Sequence, residues 1–425
     1  MDAAQDGLNA ATGPLQVGLV IASLETGGAQ TMVLRLAAGL AGRGHSVRLL
    51  CLDGGPAPAL QEIAHPLPPS VEMTFLSPTA PRGTLAKILA APTQCRALAT
   101  QAQRHGLHAV ISFMERANIV NLLRGGPSAR IVSIRSHPRA LLESKSRVKA
   151  TLIRLLYPRL LRHANAVVLN SADSAHGLAE LFPLPPGRAV VIPNFCDVDA
   201  LRSAGQGPLL PTDEALFRNP VVLACGRLIH DKGFVPLLRA FASLGQRGGS
   251  ARLVIVGEGP QRPVIEAAIA ALDLNDRAVL TGHRANPLPL MARASIFCLP
   301  SLREGFPNAL LEAMACGIPV VGTDCPGGVA EILAPDRAPG TPSESALMAA
   351  HGMLVPALEG GSVEVDAPLS LGEKELAEAL ATLLANADLR QRLGRAAAAR
   401  AADFHQDRIL PQWENLLIRH TASRP

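Results

Sequence analysis

The sequence predicts an α/β fold in two domains, each built on a parallel sheet, and three observations predict it. Short apolar runs alternate with runs of helical period along most of the chain, the pattern of repeated β-α units. Two such series open alike, with a strand, a Gly-containing loop and a helix, at residues 15–45 and again at 221–244. The clearest single unit, residues 296–331, reads as strand, turn, helix and strand, with Pro307 at the first helical turn and Gly317 where a C-cap needs positive φ. At 425 residues, 48% hydrophobic and 18% charged, the chain is long enough for two cores rather than one.

In the first half, the apolar run from Leu15 is a buried strand, Gly27 and Gly28 lie in the loop before a helix, and residues 47–52 form the second strand. Helix amides after such a loop can meet a phosphate or a sugar oxygen; lacking the full GxGxxG spacing, the loop also fits a plain tight turn. Strands at 71–76, 109–113, 131–134, 167–169 and 190–193, with helices at 85–105, 116–123 and 171–181, continue the alternation. Glu115, Arg116, Arg135 and His137 follow strand ends, where side chains of an open parallel sheet point into a ligand crevice. His137 can exchange a proton or bind an anionic oxygen, or be an ordinary surface histidine. Residues 139–163 carry seven Lys/Arg against the single Glu143, interleaved with leucines. This stretch reads as a basic amphipathic helix whose leucines cover the sheet. Lys145, Arg147 and Lys149, in its projecting part, suit an anionic bilayer.

Residues 201–219, rich in Gly and Pro and without periodicity, read as the linker. The expected domains are therefore 1–212 and 213–406, with a terminal helix at 407–425 packing back on the first and Trp413 as its anchor.

The second half opens with a strand at 221–224, then Gly226, Arg227 and Lys232 in the loop before a helix from Phe234. Two cations beside helix N-terminal amides suit a diphosphate; a surface ion pair is the plainer alternative. Strands at 253–257 and 278–281 follow, the second ending at Gly282 and His283. Two carboxylates interrupt the apolar text of residues 296–331, Glu304 in the turn and Glu312 on the helix. A carboxylate in a buried or cleft position is costly without a partner, so both need one. Beyond 331 come a short strand at 352–356 and helices at 373–385 and 389–404.

Residues 1–219 hold 21 Lys/Arg and 14 Asp/Glu, and residues 220–425 hold 19 and 21, so the first half is near +7 and the second near −2. The basic half should face an anion. With 10 Phe, 1 Tyr and 1 Trp, a stacking platform for single-stranded nucleic acid is unsupported, and no nucleic-acid partner is expected. Seven cysteines show no CxxC pair, which suits a reducing cytoplasm. No His/Cys/Asp cluster at ligand spacing, GxSxG elbow or GxxxxGK[ST] loop occurs, so no metal, hydrolase or P-loop site is expected. The chain opens without a charged leader and apolar core, and no apolar 18-mer occurs, so any membrane contact is expected to be peripheral.

The segments GRLIHDKG, LVIVGEGP and EGFPNALLEAMACGIPVVGTDCPGGVAEI resemble the retaining glycosyltransferases of family 4, whose members have the GT-B architecture of two facing Rossmann-like domains. The resemblance covers nearly the whole chain, with its specific motifs in residues 221–332. It implies that Glu304, first of the Glu-x7-Glu element, binds donor-sugar hydroxyls, and that Glu312 holds the nucleotide ribose. Arg227 and Lys232 would grip the donor diphosphate and stabilise the leaving group, so that no cofactor or metal is needed. Gly27 and Gly28 would border the donor phosphates; Gly226, Gly305, Phe306, Pro307, Asn308, Ala309 and Leu310 would line the donor, largely through backbone; Gly282 and His283 would border the base. His137 is the candidate for the histidine that many members place beside the sugar in the first domain, with a catalytic role.

The texts ISFMERANI and VSIRSHP look like a subgroup carrying an Arg-Asn pair at that strand end, with Ser136 here in place of the Asn. That subgroup builds bacterial lipid-linked oligosaccharides and surface polysaccharides from UDP-linked hexoses or N-acetylhexosamines. The resemblance thus implies a UDP-sugar donor and a glycan or polyprenyl-diphosphate-linked acceptor. It also implies a place at the inner face of the cytoplasmic membrane, with Glu115, Arg116, Arg135, Lys145, Arg147 and Lys149 on the acceptor or membrane side. A soluble enzyme with a small polar acceptor, or a non-catalytic nucleotide-sugar binder, are the alternatives.

Overall fold

The computed structural model describes residues 13–24, 27–54, 67–143, 147–359, 365 and 367–421. Lys145 lies outside them, and Arg147 and Lys149 are described in backbone only. The chain divides into two compact units: Met1–Asn170, Gly177–Phe195 and Gln406–Pro425 in the first, Ser171–His176 and Cys196–His405 in the second.

The sheet of the first unit contains β1 (Gln16–Ile21), β2 (Ser46–Cys51), β3 (Glu72–Phe75), β4 (Ala109–Phe113), β5 (Ala129–Ile134), β6 (Ala166–Leu169) and β7 (Ala189–Val191). Their order among the described residues is β3-β2-β1-β4-β5-β6-β7, and every pairing is parallel. Parallel strands are covered on both faces, which is why these runs are continuously apolar rather than alternating with polar residues. In β1, Val17, Leu19 and Ile21 meet the helices Gly28–Gly42 and Gln406–Thr421 on one face. Val20 points the other way, toward Leu98 of the helix Gly83–Arg104 and Val120 of the helix Met114–Leu123.

The last helix is returned to the first unit by Leu410, Trp413 and Leu417, at i, i+3 and i+7. Trp413 is buried with its ring centroid 6.4 Å from that of Phe113. Beside it, Glu414 accepts from Arg43 Nε at 2.7 Å and from His45 Nε2 at 3.0 Å. The Leu15 N–H donates to His45 Nδ1, so the proton of the neutral ring sits on Nε2, facing the carboxylate. Burial pushes the Glu414 carboxyl up, but the hydrogen bonds from His45 and Arg43 and the charge of Arg43 outweigh it and leave it below the usual range. A carboxylate with a lowered folded pKa contributes stability above its unfolded value and loses it as pH falls through the folded one. Stability of the first unit is therefore expected to decline as pH drops below the ordinary glutamate value of 4.5. Thermal melts of Glu414→Gln should lack this component of the acid dependence.

In the second unit, β8 (Val221–Cys225), β9 (Arg252–Val256), β10 (Ala278–Gly282), β11 (Ile296–Leu299), β12 (Val320–Thr323), β13 (Leu347–Ala349) and β14 (Gly352–Val355) follow the order β10-β9-β8-β11-β12-β14-β13. All pair in parallel except β13, a short edge strand antiparallel to β14 that the sequence pattern did not reveal. Both halves thus carry a doubly wound, mostly parallel sheet flanked by helices, the expected α/β class.

Two expectations are corrected. The Gly/Pro-rich linker at 201–219 contains the helices Val198–Gly205 and Pro211–Glu214 and a 3-10 turn, Ala215–Arg218. The first is capped by Asp197, whose side chain accepts from the Ala200 N–H at 2.9 Å, and it buries Val198 and Leu201 against the second unit. An N-cap followed by apolar residues three apart was the signal that composition obscured. In the basic stretch 139–163, the described residues form the helices Pro138–Glu143 and Arg147–Leu161. Tyr157 and Leu161 of the second are buried, but Leu155 and Leu156 are exposed, so its leucines do not all cover the sheet.

Candidate functional site

β8 and β11 are neighbours where the strand order of the second sheet reverses, and ligands of open α/β sheets bind outside the carboxyl ends of such a pair. The loop after β8 carries Lys232 and the loop after β11 carries Glu304. Lys232 Nζ donates to Glu304 Oε1 at 2.5 Å, and Ser301 Oγ donates to the same oxygen at 2.6 Å. Glu304 is 9% exposed in its side chain and Lys232 24%, so the pair is shielded from bulk water. Among the described residues Oε2 of Glu304 receives no hydrogen bond, which leaves one carboxylate oxygen to accept from a ligand hydroxyl.

The surrounding loops are tied to one another by backbone. Leu302 N–H donates to Asp231 O at 2.8 Å, Glu304 N–H to Pro326 O at 3.0 Å, and Gly328 N–H to Gly305 O at 2.9 Å. Gly233, at φ 63, closes the β8 loop; a Cβ there would lie 1.9 Å from Pro300 O, so only glycine brings the Lys232 loop this close to the β11 loop. Gly226 and Gly282 sit on the same sheet edge: Gly226 N–H donates to Val256 O and Gly257 N–H to Gly282 O, each at 3.0 Å. Arg227 and His283 are exposed beside them.

Glu312 is half-buried on the helix Asn308–Ala315, which Pro307 precedes. Burial and then the charge of Glu312 push the Cys225 thiol up to about 12, which sets this carboxylate near the end of β8. Phe306 and Leu310 are core side chains, Phe306 with its ring centroid 5.3 Å from that of Phe404. Residues 305–310 can therefore meet a ligand chiefly through backbone amides.

In the first sheet the order reverses between β1 and β4. Gly27, extended at φ 173, caps the helix Gly28–Gly42, whose first turn has no acidic residue. Arg116 Nη2 donates to Asp53 Oδ1 at 2.7 Å and to Gln94 Oε1 at 3.1 Å, an ion pair that fastens the end of β2 to two helices. Arg135 is buried among neutral partners: Nη1 donates to Ser133 Oγ at 3.3 Å, Nη2 to Asn194 Oδ1, and Nε has no hydrogen-bond partner. Burial pushes its pKa down to about 9. It lines a small crevice of about 10 Å³ with Glu115, Ser136 and Tyr157. His137 is buried rather than a surface histidine, its Nδ1 accepting from the Arg139 N–H at 3.3 Å and its Nε2 2.7 Å from the point where a Cβ on Gly177 would stand.

The structure therefore brings together Lys232, Glu304, Gly226 and Gly305 on one edge of the second sheet, and Glu115 with Arg135 on one edge of the first. Sequence reasoning missed Ser301, Asp53 and Asn194. Ser301 stands three residues before Glu304, and that i, i+3 spacing across a turn was its only signal. Among the described residues no group of three or more His, Cys, Asp or Glu could hold a metal ion. Among them too, no helix is long and apolar enough to cross a membrane.

Solved structures share this two-domain GT-B architecture. Sucrose-phosphate synthase from Thermosynechococcus elongatus matches 96% of this chain over its whole length, with a TM-score of 0.77 at 20% identity. Anabaena HepE, solved in complex with UDP and glucose, matches 95% of this chain over its whole length, with a TM-score of 0.70 at 20% identity. In sequence, residues 219–359 match the family described as Glycosyl transferases group 1, and residues 26–200 match Glycosyltransferase Family 4. The chain is a GT-B-fold glycosyltransferase related to these families. A Campylobacter jejuni N-acetylgalactosamine-N,N'-diacetylbacillosaminyl-diphospho-undecaprenol 4-alpha-N-acetylgalactosaminyltransferase is 27% identical over 93% of this chain and 97% of its own length. An uncharacterized glycosyltransferase of Methanocaldococcus jannaschii is 27% identical over 68% of this chain and 72% of its own.

Proposed function

We propose that this protein is a retaining glycosyltransferase that moves a hexose or N-acetylhexosamine from a UDP-sugar to a lipid-linked glycan acceptor. The second unit takes the donor and the first unit takes the acceptor. The observation that carries the reading is the shielded Lys232–Glu304 pair at the switch point of the second sheet, with Glu304 Oε2 left to accept. A departing nucleoside diphosphate gains negative charge at its bridging oxygen, and a cation fixed beside it stabilises that charge without reorganisation. Lys232, with the exposed fork of Arg227, supplies this compensation. Glu304 orients the sugar hydroxyls through Oε2, while Lys232 and Ser301 hold its Oε1.

In this reading the C1–O bond to the diphosphate breaks and the C1–O bond to the acceptor forms on the same face. The acceptor proton passes to a diphosphate oxygen. Glu312 binds the ribose, and Gly282 and His283 border the base. The UDP-bound Anabaena structure and the lipid-diphosphate acceptor named for the Campylobacter relative support the choice of substrates. Arg135 supports it independently. A buried guanidinium that, among the described residues, has no carboxylate partner is suited to an anionic group of the acceptor such as a diphosphate.

Titration calorimetry with UDP tests the donor half. Glu312→Ala is expected to weaken UDP binding about tenfold or more, as loss of a hydrogen bond to a charged group does, with the protein still folded. Equal affinity in both proteins would remove Glu312 from the nucleotide site.

A further inference from the structure

The helix Gly83–Arg104 buries side chains fully only in its second half, its first half being covered no further than the half-buried Ala86, Ala90 and Ala91. Its buried residues are Gln94, Leu98 and Ala102, whereas Leu85, Ile88 and Leu89 in the first half are 70%, 62% and 70% exposed. At about 100° per residue these three share one side of the helix, and Pro92 continues it. Exposed single leucines are ordinary, but three at i, i+3 and i+4 make a contiguous apolar stripe.

Along the sequence, the charges that flank the stripe have one sign. Between Glu72 and Glu115 the sequence has no acidic residue, and it has Arg82, Lys87, Arg96 and Arg104. Arg82 is the N-cap, and Arg96 lies three turns beyond Leu85 on the same side. The two exposed arginines stand about 21 Å apart along the axis at about 1.5 Å per residue, one at each end of the stripe. Long basic side chains that flank apolar ones can bury their stems and raise their charges to the phosphate level of a bilayer.

We infer that this half-helix seats on an anionic bilayer, with Leu85, Ile88 and Leu89 entering the acyl boundary and Arg82 and Arg96 meeting lipid phosphates. A second copy of the chain is the poorer occupant, because a two-fold contact centred on the stripe would set Arg82 of one copy against Arg96 of the other. The helix follows β3 of a parallel sheet, so it begins at the carboxyl edge, the edge at which Arg135 follows β5. A lipid-linked acceptor held at the bilayer surface would therefore approach the edge that carries the Arg135 crevice. This seat differs from the one expected at residues 141–149. It gives the proposed acceptor reading a membrane surface, and the test reads lipid binding without any sugar transfer, so either can fail alone.

Flotation of the full chain with vesicles of phosphatidylcholine, and of phosphatidylcholine with phosphatidylglycerol, tests the inference. The wild-type chain is expected to float with the anionic vesicles, and Leu85→Ser/Ile88→Ser/Leu89→Ser to partition about tenfold or more weakly. Arg82→Glu/Arg96→Glu is expected to lose the preference for anionic lipid while its circular dichroism and UDP binding are unchanged. Equal flotation of the wild type and the triple-serine variant would overturn the inference. So would a wild-type chain that binds UDP and does not float, or a concentration-dependent dimer that the triple substitution dissolves.

Discussion

Lys232→Ala is expected to lower kcat about 100- to 1000-fold, the cost of removing one preorganised donor from a developing oxyanion. Two consequences add. The diphosphate loses a point charge, which should weaken UDP binding as well as turnover. Glu304, 9% exposed in its side chain and paired to Lys232 at 2.5 Å, is left with Ser301 as its side-chain donor. A shielded carboxylate that loses its cation reorients toward water or another donor, and the sugar loses its fixed acceptor. Lys232→Arg retains the charge on a longer planar group, so UDP affinity should recover more than kcat does. Steady-state kinetics paired with calorimetry separate the two effects, and wild-type kinetics in the alanine variant would refute the assignment.

Gly327→Ala is expected to damage folding and turnover together. Gly327 has φ 126, a region closed to side chains, and a Cβ there would lie 2.1 Å from the Glu304 carbonyl oxygen. Its N–H donates to Asp173 Oδ2 at 2.8 Å, so the loop cannot turn away without breaking that bond. Backbone strain alone costs about 1–3 kcal/mol, and the relief available is displacement of the Glu304 segment. Gly42→Ala is the control, since a Cβ there meets nothing within 4 Å and the residue closes a helix. It should be neutral or slightly stabilising. A Gly327→Ala protein with the melting temperature and kcat of wild type would contradict the geometry at Glu304.

The α/β class and the elements around Lys232 and Glu304 were legible because each rests on local text. Apolar runs make buried parallel strands, and Gly317, at φ 76, ends the helix Asn308–Ala315 as a C-cap glycine does. What local text cannot carry is partnership across the chain. Lys232 and Glu304 read as a cation and a carboxylate on one sheet edge, with Arg227 an equal candidate partner, and the β8–β11 pairing makes Lys232 the one that meets Glu304. Arg116 read as a crevice cation, yet Asp53, after a different strand, claims it. His137 read as a surface or catalytic histidine, and tertiary packing under Gly177 buries it. The helix at 85–105 was read without its exposed stripe at Leu85, Ile88 and Leu89, because period alone does not say which end of a helix overhangs its sheet.

Proton NMR of the product formed from a UDP-hexose and a polyprenyl-diphosphate-linked sugar, with Lys232→Ala run in parallel, tests both the retention of configuration and the role of Lys232. The wild-type enzyme is expected to release UDP and form a new glycosidic linkage with the donor's anomeric configuration, a product nearly abolished in the variant. An inverted linkage, or transfer that proceeds equally without Lys232, would contradict the expectation.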